Sequence, residues 1–99
     1  MNAVWIHGGE TLGKEITAIL DSLGIPLYYV WRGVLRKDNE GESTRWDDQV
    51  FPGKNWAVQL MCDDKTLAAL KEKLEAFLVD DYVRQTGVEM FVQRAERLI

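Results

Sequence analysis

Two apolar runs, IPLYYVW (Ile25–Trp31) and NWAVQLM (Asn55–Met61), are held apart by a polar, mixed-charge stretch from Arg32 to Lys54. This spacing constrains the fold most. The first run is rich in Tyr, Val and Trp, and the second alternates Trp56, Val58 and Leu60 with Ala57, Gln59 and Met61, so both read as strands. A hairpin linking two strands normally needs about two to five residues. The flanking sequence supplies the frame. Asn2–His7 is a short apolar run ended by Gly8 and Gly9, a strand and a turn. Leu12, Ile16, Ile19, Leu20 and Leu23 recur at helical spacing, with Thr11 as candidate cap and Gly24 at the C-terminal stop. Asp63 or Asp64 caps a second helix whose stripe is Leu67, Leu70, Leu74, Phe77 and Leu78, with Lys71 and Glu75 one turn apart on its wet face. Val88–Gln93 is a fourth strand. The order strand, helix, strand, strand, helix, strand predicts one α+β domain over residues 1–99. It is the ferredoxin-like βαββαβ pattern, an antiparallel sheet with two helices on one face, and the long insert at about 34–54 joins strands 2 and 3.

Composition narrows the function. A net charge of -4 with no basic stripe argues against nucleic acid, whose phosphates need clustered Lys and Arg. The single cysteine, Cys62, leaves no intrachain disulfide framework and suits a reducing compartment. The first ten residues lack the charged start and apolar stretch of a signal peptide, and no apolar run reaches the length that crosses a bilayer. The expectation is a cytoplasmic protein with no direct membrane insertion.

The local motifs favour packing over chemistry. GGETLGK (Gly8–Lys14) has the spacing of a phosphate loop, but Glu15 stands where Ser or Thr would hold magnesium. An ordinary strand-to-helix turn is the better reading. His7, the only histidine, has no metal-binding neighbour in sequence, and no metal is predicted. Cys62, beside Asp63 and Asp64, has no cation to stabilise a thiolate and reads as an inert thiol. The acidic pairs Asp47–Asp48, Asp63–Asp64 and Asp80–Asp81 have no positioned partner for acid–base work, so no catalytic residue is assigned. Trp5, Trp31 and Trp56 fall in strands and read as core or subunit-interface residues. Trp46, between Arg45 and Asp47 in the polar stretch, reads as an anchor for a partner surface.

Taken together, YVWRGVLRK, CDDKTLAALKEKL and AFLVDDYVRQTGVEMFVQRAERL resemble the PII-like signalling proteins. The nearest likeness is to the divergent branch associated with bicarbonate transport. The family implies trimers of ferredoxin-like subunits with a long T-loop between the second and third strands, a non-enzymatic regulator that docks a target through that loop. It also implies an adenine nucleotide (AMP, ADP, ATP or cyclic AMP) as effector in the cleft between subunits. Carried onto this chain, Gly33 allows close backbone approach, and Arg36 and Lys37 meet phosphate. Thr86 and Gly87 donate from the other loop, and Arg84 adds charge. Arg45, Trp46 and Phe51 are the partner-binding residues implied for the loop. The chain has Leu35 where classical members have a second glycine, and its loop has no counterpart of the tyrosine that some of them uridylylate.

The implied partners are a homotrimer, through residues among Trp5, Tyr29, Trp31 and Trp56, and a target protein, a membrane transporter being the implied class. Membrane association would then be peripheral, through that partner. The loop's charged, Gly-containing composition predicts a mobile arm over about residues 37–53, anchored only by Trp46 and Phe51. Two alternatives share the fold class: a CutA-type divalent-cation-binding trimer, suggested by the W-x-G of Trp31–Gly33, and a small ferredoxin-like enzyme.

Overall fold

The computed structural model describes all 99 residues. Four strands, β1 (Asn2–Gly9), β2 (Tyr28–Val34), β3 (Asn55–Cys62) and β4 (Val88–Arg94), form one antiparallel sheet in the order β2-β3-β1-β4. Helices α1 (Gly13–Ser22) and α2 (Asp64–Phe77) cover one face. This is the expected ferredoxin-like βαββαβ architecture. No helix is long and apolar enough to cross a membrane.

Strand alternation decides the two faces. Val4 and Ile6 of β1 and Val58 and Leu60 of β3 point to the helices, where Ile16, Leu20, Leu70 and Leu74 bury them. Helix α2 starts as expected, with the Asp63 carboxylate accepting from the Thr66 amide at 2.8 Å. Helix α1 starts differently. A 3₁₀ turn, Glu10–Leu12, precedes it, and Thr11 caps nothing. The Thr11 hydroxyl shares a 2.8 Å hydrogen bond with the Tyr82 hydroxyl instead. Gly24 follows the helix at φ 69°, the left-handed stop that its position suggested.

One element went unread in the sequence. Helix α3 (Asp81–Thr86) is a single short helix, capped by the Asp80 carboxylate accepting from the Tyr82 and Val83 amides. Val83 alone seats it in the core, and Gly87 at φ 90° turns the chain into β4.

The uncovered face of the sheet carries Trp5, His7, Tyr29, Trp31, Met61 and Phe91. Trp5 and Trp31 stack with centroids 5.4 Å apart, and His7 tilts against Phe91 at 5.8 Å. Tyr29 and Phe91 remain more than half exposed, at 55% and 53%. Trp56 belongs to the other side. It lies against Gly13 so closely that a Cβ there would fall 2.3 Å from the indole, so Trp56 packs α1 rather than this face.

Candidate functional site

At one end of the sheet, β1 and β2 leave while β3 and β4 enter, so four strand ends and three connections meet there. The turn after β1 is built from Gly8 and Gly9. A Cβ on Gly9 would come within 2.7 Å of the Thr86 methyl, and one on Gly8 within 3.0 Å of Ile16. These glycines serve close packing, which is why GGETLGK resembles a phosphate loop in spacing alone.

An open groove of about 560 Å³ lies between the β1–α1 turn and the base of the arm, lined by Glu10, Thr11, Arg32, Gly33, Lys54 and Trp56. Arg32 sits over the Trp56 ring at 4.9 Å, a cation–π contact that fixes its charge at the groove wall. A second hollow of about 280 Å³ shares Glu10, Thr11 and Lys54 and adds Gly9, Arg45, Tyr82 and Thr86 among its lining residues. Together they form a cleft with three cations, Arg32, Lys54 and Arg45, against one carboxylate, Glu10. Hydroxyls and cations converging in one cleft can neutralise and hydrogen-bond a phosphate or carboxylate.

The residues named from the sequence divide. Gly33 and Thr86 line the cleft, and Gly33 at φ 68° makes the irregular exit of β2 that opens it. Gly87 adjoins Thr86 but its amide is already given to the Val83 carbonyl at 2.9 Å. Arg36 turns away to Glu89 of β4, donating at 2.5 Å. Arg84 is exposed and pairs with Asp81 on its own helix. Lys37 stands over Trp46, 5.9 Å from the ring centroid. The cleft instead draws its charge from Arg32 and Lys54, the first and last residues of the polar stretch. Their bracketing of that stretch was the available signal.

The arm has more structure than its composition predicts. The Arg36 and Arg45 backbones exchange hydrogen bonds at 2.9 and 2.8 Å, pairing the arm with itself. The Asp38 carboxylate accepts from the Ser43 hydroxyl at 2.7 Å and from the Glu40 amide at 3.1 Å. These bonds, the Ser43 hydroxyl foremost, hold the Asp38 carboxyl below the usual carboxylate range. A second turn closes where the Trp46 amide donates to the Phe51 carbonyl and the Phe51 amide to Asp48. Charged side chains tie this segment by accepting backbone N–H groups, a role invisible in composition. Trp46 and Phe51 stay exposed on this second turn with Val50, which at 75% is the most exposed of the three. Arg45 faces inward, not toward solvent: its guanidinium donates to Asn55 at 2.8 Å and to the Thr86 carbonyl.

Cys62 is half-buried, and burial followed by the charges of Asp63 and Asp64 pushes its thiol up, as expected of an inert cysteine.

No family model matches the chain, and no curated protein matches it in sequence. Solved structures do match. The chain is similar to CPII from Thiomonas intermedia K12 bound to ADP and bicarbonate, with TM-score 0.71 at 14% identity over 93% of this chain and 82% of that one. The apo form of the same nitrogen regulatory PII-like protein matches at TM-score 0.64 and 14% identity, over 93% of this chain and 85% of that one. A protein from Thermus thermophilus described as PII-like matches at TM-score 0.62 and 15% identity, over 93% and 82% of the two chains. The chain has the fold of the PII-like proteins.

Proposed function

We propose that the protein is a non-enzymatic PII-like regulator. It senses an adenine nucleotide in the cleft at the base of the arm and passes that state to a target protein through the arm. The observation that carries this reading is the cleft itself: Arg32, Lys54 and Arg45 converge with Thr11 and Thr86 where the arm leaves and rejoins the sheet. The ADP and AMP bound by the Thiomonas protein, which shares the fold, support the ligand class. The bicarbonate bound by that protein supports an inorganic-carbon process as the regulated one, and a membrane transporter is the target class we propose. The exposed Trp46, Val50 and Phe51 supply an apolar docking patch on the arm.

The aromatic face opposite the helices supports a homotrimer. Large apolar side chains exposed this densely on a sheet need a partner surface, and both edge strands carry exposed apolar residues, Val30 on β2 and Val92 on β4.

Calorimetry with AMP, ADP, ATP and cyclic AMP tests the ligand. We expect at least one to bind well below millimolar, and Arg32→Ala or Lys54→Ala to weaken it by about 1.5 to 3 kcal/mol, the worth of a charged hydrogen bond. If none of the four binds below millimolar concentration, the nucleotide reading is wrong.

A further inference from the structure

The second turn of the arm leaves three large apolar side chains, Trp46, Val50 and Phe51, in contact with water. The hydrogen bond from the Trp46 amide to the Phe51 carbonyl closes the turn that carries them. Exposed aromatics held together in this way suit the apolar centre of an interface. Apolarity alone does not say what covers them. The charge around them does.

Between Asp38 and Gly53 the arm carries five carboxylates, Asp38, Glu40, Glu42, Asp47 and Asp48, against one cation, Arg45. That excess equals the net charge of the whole chain, -4, so everything outside this stretch is balanced in sum. The one cation is turned away from the patch, its guanidinium donating to Asn55 at 2.8 Å and to the Thr86 carbonyl. At the margins, Lys54 pairs with Asp47 at 3.5 Å and Lys37 lies 5.9 Å from the Trp46 ring centroid. Asp38 and Asp48 accept amides of the arm itself, which shapes the turns without cancelling charge. Glu40 and Glu42 are exposed, and neither carboxylate is paired within the chain.

We propose that this patch docks in a recess of a partner protein that presents Lys and Arg around an apolar pocket. Trp46, Val50 and Phe51 fill the pocket, and the arm's carboxylates meet the cationic rim. The inference rests on the reading above only in taking the arm as the docking element. The same charge disfavours the other occupants: anionic lipid headgroups, nucleic-acid phosphates and the arm of a second copy all repel it. Cytoplasmic loops of membrane proteins carry an excess of Lys and Arg, so the transporter class proposed above supplies the chemistry that the arm requires. Opposite fields speed the encounter, and the rim pairs decide which partner is accepted more than how tightly it is held.

Two amphipathic helical peptides of equal length, one built from Leu and Lys and the other from Leu and Glu, test this on the full chain. Fluorescence anisotropy of the labelled peptides gives affinity, and amide chemical shifts give the place. The Leu/Lys peptide should bind with shifts centred on Trp46, Val50 and Phe51, and the Leu/Glu peptide should not. Its affinity should fall at least about fivefold between about 50 and about 500 mM salt. Glu40→Lys combined with Glu42→Lys should weaken it at least about fivefold at low salt and have little effect at high salt. Val50→Ser should weaken it by a factor that salt does not change, because it removes apolar contact alone. Equal or tighter binding of the Leu/Glu peptide at the same residues overturns the cationic recess while leaving the arm as a docking element. Binding of neither peptide there, wild-type affinity in the Glu40→Lys/Glu42→Lys chain, or binding of the arm to phosphatidylserine vesicles overturns it too. ADP calorimetry on the wild type is a separate reading: its failure removes the nucleotide and leaves the partner chemistry standing.

Discussion

Leu20, Leu70 and Val58 hold the helix-covered side of the sheet by being fully buried against one another. Asp38, Asp48 and Arg45 hold the arm through individual donor–acceptor pairs close to solvent. Apolar burial is non-directional and roughly proportional to area, so no single core contact can be exchanged for another without losing volume. A hydrogen bond can be traded for one to water or to a ligand at small net cost. The sheet and helices are therefore a fixed frame, and the arm is a segment whose closure can be changed one contact at a time. Function that depends on change belongs in the second region.

The contrast can be broken at several points. Leu70→Ala should have the largest effect, lowering global stability by about 2 to 5 kcal/mol through the cavity it leaves. Chemical denaturation monitored by circular dichroism measures this, and a loss below about 1 kcal/mol would show that the frame is not tightly packed. Trp31→Glu on the uncovered face should abolish assembly with little change in secondary structure, because it places a charge among stacked aromatics. Light scattering should then report a single chain for the variant and the proposed trimer for the wild type; a wild type that is monomeric at micromolar concentration removes this role for the face.

Asp38→Ala should act only on the arm. Exchange at Glu40 and Ser43 should quicken while the melting temperature stays within a degree or two of wild type; a clear fall in melting temperature would mean that arm and frame unfold together. The smallest expected effect is that of pH. Asp38 is depressed in the closed arm, so its contribution is complete above the ordinary carboxylate value of about 3.9 and is lost as pH falls through its lower value. Amide shifts over residues 38–44 should stay constant from pH 7 down to the ordinary carboxylate range, then move below it, and in Asp38→Ala that transition should vanish.

What the sequence disclosed follows the same division. Element order, the Asp63 cap, the Gly24 stop and the stripe of Leu70 and Leu74 were legible because periodicity and capping are local. Helix α3 was not, since six residues with one buried side chain, Val83, give no periodic signal. The cleft was half legible. Gly33 and Thr86 came from a family likeness, but Arg36 and Arg84 turned to carboxylates, Glu89 and Asp81, that compete for them. Arg32, Lys54 and Arg45 come together because four strand ends and the arm meet in space. The arm's own bonds escaped because a carboxylate such as Asp38 looks the same in sequence whether it is solvated or accepts backbone amides.

The placement of the four tryptophans has a spectroscopic consequence. Trp56 forms the cleft wall beneath Arg32, Trp46 is exposed on the arm, and Trp5 and Trp31 stack on the uncovered face. Each therefore sits in a region whose surroundings change in a different event: ligand entry, arm movement or subunit contact. Three variants, each keeping the indole of one region and carrying Phe at the others, would turn intrinsic emission into separate clocks for these events. The order in which they run could then be timed in one stopped-flow mixing experiment without an added label.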